Sequence, residues 1–401
     1  MNKIKKIGAL SLGLIMTVSL FTGCSTDGLA LINAFAKSQT INSVQTETEM
    51  SIRVSGSNMS VQEEQMMNGI LPIINGAKMY VLTKSNQNQE KTIAKVQSDI
   101  NLQLGEMHVG MTSWVNVDTT GDKPVVNEMF KIPQLLSSQL PKELQGKDYM
   151  VMDLTDMTST SGMSETNYKK LMSFSKEFQP KLLDFIVKYA KQFNPNTEYI
   201  KFMGSQRFLQ DNKMQSTTEY EVKLTDKSFK ELMRYTLNNL AGNADAMNFV
   251  KEYMISMMSV YDLTDIEAES SKDEINKAFD NFTIQLPQQL LGLNKALDSI
   301  DNLKILGNNG ITIRYTVNDD GYIVKEKGNA EFVVDLPSIM KLAGNSQEDS
   351  NPNDPTGIYT INVAFNTENT NINGDVKISF PKVDSTNSFN YMDIMNISSV
   401  K

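Results

Sequence analysis

From Lys91 to Leu104 the side chains change character at every step. Ala94, Val96, Ile100, Leu102 and Leu104 share one face of an extended chain, and Lys95, Gln97, Asp99, Asn101 and Gln103 share the other. Such a period-two pattern specifies a strand with one buried and one wet face, and one-faced strands assemble as antiparallel sheets. Gly105-Glu106 turns the chain into Met107 to Val117, which continues the pattern, and Thr46 to Val54 carries it earlier in the chain. Towards the C-terminus, Ile311, Ile313, Tyr315 and Val317 alternate with Thr312, Arg314 and Thr316. Asp320-Gly321 then marks a hairpin, because a tight two-residue turn needs positive φ. Further strands are expected at Tyr322 to Lys327, Ala330 to Asp335, Ile358 to Phe365 and Asp375 to Phe380.

The middle of the chain follows a helical period instead. Leu171, Phe174, Phe178, Leu182, Phe185, Tyr189 and Phe193 recur every three or four residues, with Pro180 expected to kink the helix or begin a second one. Thr225-Asp226 reads as the cap of a segment carrying Phe229, Leu232, Met233, Leu237 and Leu240. Ala244 to Tyr261 and Pro287 to Leu303 carry similar stripes. The expected class is α+β: one-faced antiparallel sheets, half-barrel-like, packed with amphipathic helices, and two related half-modules are an open alternative within it. The division expected is a signal segment at 1–23, a lipidated Cys with tether and helix at 24–44, an N-terminal α+β module at 45–160, and a helical middle with a C-terminal sheet at 161–401.

The opening residues read as an export signal. Lys3, Lys5 and Lys6 precede the uncharged run Ile7 to Phe21, whose 15 residues rise about 1.5 Å each in a helix, too short to cross about 30 Å of hydrocarbon. The run ends in Leu20-Phe21-Thr22-Gly23-Cys24, with small residues before the only cysteine of the chain. This resembles a bacterial lipobox, with Phe21 where Leu is usual. It implies a diacylglyceryl group on Cys24 and a protein held on the extracytoplasmic face of the cell membrane, with the bilayer as its partner. Two acyl chains anchor stably where one is marginal.

Beyond Cys24, Asn33-Ala34-Phe35-Ala36-Lys37-Ser38 and Ile41-Asn42-Ser43-Val44 lead from a helix into one-faced strands. The arrangement resembles clostridial-type, Gram-positive surface lipoproteins and, more distantly, the LolA/LppX group. That resemblance implies half-barrel sheets cupping helices around an apolar cavity that carries acylated lipids.

Composition narrows the chemistry. A net charge of -9 and a pI near 5.0 argue against nucleic acid, which requires a Lys/Arg surface. One Cys and one His exclude disulfide frameworks, cysteine zinc sites and multi-histidine metal sites. His108 alternates with polar residues beside Trp114 and reads as a strand histidine, not a triad base. SxxK occurs at Ser173–Lys176 and Ser338–Lys341, but the SDN and KTG elements that would complete a penicillin-binding site are missing. Asp349, Asn351, Asn353 and Asp354 could offer calcium oxygen ligands, yet Pro352 and Pro355 interrupt the turn and no distal bidentate Glu follows. No catalytic residue, metal or cofactor is implied, and the expected protein is not an enzyme.

Methionine is abundant, 25 of 401 residues. Met247, Met254, Met257 and Met258 cluster with Phe249, and apolar residues spread round more of that helix than one stripe requires. Thioethers adapt to irregular shapes, so these five residues are the candidate lining for a hydrophobic, lipid-like ligand. The competing expectation is a structural or interaction lipoprotein in which the same residues simply fill a core.

Overall fold

The computed structural model describes residues 26–121, 125–153, 165–195, 198–210, 213–258, 265–342 and 354–399. The fold is α+β, built on one large open sheet that is antiparallel throughout except at one edge. Its strands are β1 (Ser43–Ser57), β2 (Lys78–Gln87), β3 (Ile93–Leu104), β4 (Met107–Asp118), β5 (Val125–Lys131), β6 (Tyr149–Asp153), β7 (Ile200–Gln210), β8 (Lys213–Leu224), β9 (Leu306–Asn318), β10 (Ile323–Asp335), β11 (Ile358–Thr370) and β12 (Ser388–Asn390). They lie in the order β12-β6-β5-β4-β3-β2-β1-β11-β10-β9-β8-β7. Two meanders are thus joined where β1 pairs with β11, from Gln45 opposite Thr370 to Ser57 opposite Ile358. The chain returns at its end to add β12, parallel, beside β6.

The alternation sets the faces. One cross-strand row runs Ile200, Val222, Ile313, Gly328, Phe365, Met50, Met79, Leu102 and Val109 over nine strands. The helices are α1 (Thr26–Ser38), α2 (Val61–Asn75), α3 (Gln134–Ser137), α4 (Glu165–Gln192), α5 (Asp226–Gly242), α6 (Ala244–Met258), α7 (Asp265–Ile300), α8 (Leu336–Leu342) and α9 (Tyr391–Ser399), of which α1 and α4 to α7 pack on this face. The main core joins Leu31 and Ala34 of α1, Phe185 and Tyr189 of α4, Leu232 and Leu240 of α5, Met247, Val250 and Met254 of α6 and Phe279 of α7 to strand residues of β7 to β10.

Local chemistry explains the junctions. Thr225 accepts the Ser228 backbone N–H and starts α5. Buried Lys230, one turn on, pairs with Asp226 at 2.7 Å and donates to the carbonyls of Asp301 and Leu303. Asp226 also accepts the Ile305 and Leu306 amides, so the start of α5 holds the chain entering β9. The hairpin between β9 and β10 turns on Asp319-Asp320 and not on the expected Asp320-Gly321 pair: the Gly321 N–H closes the turn on the Asn318 carbonyl, and Gly321 alone takes a positive φ, +83°.

Several expected elements differ in extent. Pro180 lies inside a single α4, and Pro287 lies inside a longer α7 instead of starting a helix. Tyr322–Lys327 and Ala330–Asp335 merge into β10. Asp375–Phe380 is not a strand: residues 371–387 cross the outer face of the sheet on their way to β12. Val376 is buried there, its carbonyl accepts the Asn86 side chain, and Lys95 lies over the Phe380 ring.

Candidate functional site

The methionine helix is core. Met247 and Met254 are each 8% exposed and belong to the main cluster. Phe249 stacks on Phe185 with centroids 4.2 Å apart and planes at 7°, and Phe178 meets it at 5.1 Å. Each such aromatic pair contributes about 0.5–1.5 kcal/mol beyond burial. Met257 is half-buried; the side chain of Met258, which ends α6, lies outside the described residues, as do Cys24, the whole signal segment, and Asp349, Asn351 and Asn353 of the candidate calcium loop. Met247, Phe249 and Met254 thus fill the space between helices, with Phe249 stacked on α4.

The open apolar surface is elsewhere, on the same face of the sheet. The main core takes strand residues from β7 to β10 and, among the described residues, none from β11 or β1 to β6. Beyond β10 the apolar row continues through Phe365, Met50, Met79, Leu102 and Val109, all half-buried. A second row continues through Val81, Ile100 and Met111, with Thr48 and Thr367 sharing a hydroxyl hydrogen bond of 3.0 Å. Five strands at about 4.8 Å spacing give this strip a width of about 19 Å.

Carboxyl groups mark the two ends of the strip. Glu326, opposite Tyr315 and Thr367, is held above the usual carboxylate range by burial. Burial also raises the Tyr315 hydroxyl, with the charge of Glu326 adding to the effect. Glu128, opposite Val115 and Met152 near the other edge, is likewise raised by burial. Both carboxyls are therefore pushed toward their neutral form on an apolar surface.

The opposite face of the sheet carries an open cleft of about 1200 Å³ between the Pro133–Lys147 connection and strands β1 to β5. Its charged lining sets Glu47, Glu49, Asp99, Asp148 and Glu368 against Lys131 and Lys147. Much of this charge is spent within the chain. Asp99 accepts from Gln97 and Thr112, Glu368 pairs with Lys325, and Lys147 donates to the carbonyls of Ser385 and Thr386. His108 is exposed on this face opposite Gln103. Ser338 of the second SxxK donates its N–H and its hydroxyl to the Asp335 carboxylate, which caps α8. Among the described residues no group of three or more His, Cys, Asp and Glu could hold a metal, and no helix is long and apolar enough to cross a membrane.

Comparison with known proteins returns no match, whether to a family model, a curated protein or a solved structure. The geometry of the strip is what bears on function. Its residues were legible in the alternation of β1, β3 and β4; that the main helical core, among the described residues, sits on β7 to β10 alone was not.

Proposed function

We propose that this chain is a non-catalytic, extracytoplasmic lipoprotein, anchored in the cell membrane through diacylglyceryl-Cys24, that binds a lipid-like ligand along the uncovered strip. The observation that carries the proposal is the single apolar row of the sheet, packed under the helical core from β7 to β10 and, among the described residues, continuing half-buried outside that core from β11 to β4. An acyl chain laid across Phe365, Met50, Met79 and Leu102 would complete the cover. Burying 14 methylenes contributes about 11 kcal/mol before ordering costs, at about 0.8 kcal/mol each, so no polar motif is required for affinity.

The test is native followed by denaturing mass spectrometry of residues 25–401, expressed without the signal and handled without detergent. A stoichiometric acyl ligand that is lost in Leu102→Asp supports the carrier reading. A clean apo mass from folded protein would sink it. The packing of Phe249 between Phe178 and Phe185 favours the second reading, a structural or interaction lipoprotein with a filled core, whose strip meets a protein or polymer. For the anchor, Cys24→Ser should move the protein from the membrane fraction to the soluble one; retention in the membrane would refute it.

A further inference from the structure

We infer that the end of the sheet carrying α2 lies against the lipid bilayer and inserts apolar side chains into its interface; this rests on the Cys24 anchor proposed above. The direction of α1 fixes which end faces the membrane. At its start, Asp27 accepts the backbone N–H of Phe202 at 2.8 Å, close to the beginning of β7. At its far end, the Ser38 hydroxyl accepts the N–H of Ile323, at the beginning of β10. Any lipid on Cys24 is attached two residues before Thr26, a span of at most about 7 Å. The anchor therefore leaves the protein at the end of the sheet where β7 begins and not at the end where β9 turns into β10.

The same end presents apolar side chains to solvent. The antiparallel order places the start of β7, the end of β1, the turn between β3 and β4, and the end of β10 together on it. Phe202 and Met203 are exposed beside α1, Met107 at the β3–β4 turn, and Ile339 and Leu342 on α8 after β10. The largest contribution is α2, which follows β1. Met66, Ile70 and Ile73 are 65%, 43% and 52% exposed, and their spacing puts them on one side of the helix.

The helix is fixed at both ends, so this side is held outward. Ser60 and Glu63 form a reciprocal cap, and Glu63 also accepts the amides of Thr356 and Gly357 and the Tyr359 hydroxyl. At the other end Asn75 bonds to both the N–H and the carbonyl of Val54. Without Lys3, Lys5 and Lys6 of the signal the balance is 35 - 47 = -12, a net charge that opposes attraction to anionic lipid. A tether that keeps the rim at high local concentration lets apolar insertion alone suffice.

The experiment uses full-length protein purified from membranes and reconstituted into phosphatidylcholine–phosphatidylglycerol vesicles, with acylation checked by intact mass. An environment-sensitive fluorophore is placed through Ile70→Cys on α2 or, as the control, through Glu90→Cys in the exposed turn between β2 and β3 at the opposite end. Brominated lipid should quench emission at position 70, unchanged by high salt, and leave position 90 bright. Ile73→Cys repeats the measurement should the first variant misfold. Equal behaviour at positions 70 and 90 in acylated protein would overturn the orientation and leave the anchor standing. An unmodified Cys24 in the intact mass would overturn the anchor reading, and the orientation with it.

Discussion

The ring of Phe365 on β11 lies across the bare backbone of Gly328 on β10, in the space a Cβ would occupy. The pair sits where the helix-covered part of the sheet gives way to the open strip. Gly328 thus lets the first aromatic of the strip lie flat against its neighbour strand, and the surface stays continuous across the join.

Gly328→Ala should force that ring to move. Overpacking of this kind costs about 1–3 kcal/mol, read as a lowered urea midpoint. Phe365→Leu in the same chain should recover most of the loss. A double variant no better than the sum of the singles would show that the contact is unimportant.

Lys230 is buried and bridges Asp226 to the carbonyls of Asp301 and Leu303. Lys230→Met removes one partner of this network and leaves the others facing a methyl group. The expected cost is about 3 kcal/mol, with hydrogen exchange accelerating first at Ile305 and Leu306. A variant as stable as the parent would contradict the network's role.

Burial holds the Glu326 carboxyl above its ordinary value of 4.5. A group raised in the folded state binds its proton more tightly there than in the unfolded chain. Its contribution is full below 4.5 and is lost as pH rises through the raised value. Glu326→Gln should therefore melt higher than the parent at neutral pH, with the gain shrinking on acidification. A variant that melts lower at neutral pH would count against a desolvated carboxyl at this position.

Glu63 behaves in the opposite sense. The Ser60 amide foremost, together with the Ser60 hydroxyl interaction and the Thr356 and Gly357 amides, lowers its carboxyl to about 2. The stability it contributes is present above 4.5 and is lost as pH falls toward about 2. Exchange at the Thr356 and Gly357 amides, corrected for intrinsic rate, should rise over that window in the parent. In Glu63→Ala it should be fast throughout, and unchanged protection there would remove the tie between α2 and β11.

Met254 is in the filled core, so Met254→Trp should destabilise by about 1–3 kcal/mol without touching ligand binding on the strip. Loss of a bound lipid from a variant of undiminished stability would return the ligand to the helices.

What the sequence could reveal followed from contrast between faces. β3 and β4 were legible because polar and apolar residues alternate cleanly. β2 was not, since Tyr80 and Leu82 stand on the wet face opposite Met79 and Val81 and erase the contrast. In α2, Gly69 and Pro72 interrupt an apolar arc too broad to read as one stripe. Residues 375–380 alternate like a strand, yet Val376 is buried by a backbone that crosses the sheet without pairing. The methionine cluster was visible as composition alone. Whether that helix lines a cavity or fills a core is decided by Phe178 and Phe185 on α4, far away in the chain, which pack on its Phe249.

The pairing of β1 with β11 also constrains how the molecule can be made. Thr370 and Gln45 are bonded across 325 positions, so the strand that emerges first has this partner only after that whole stretch has followed it. At about 5–20 residues per second that interval is tens of seconds. Throughout it, one edge of β1 and the apolar strip beside it have nothing to pair with. Joining the two meanders is the high-contact-order event that should limit the folding rate, and the nascent chain needs protection from its neighbours until it happens.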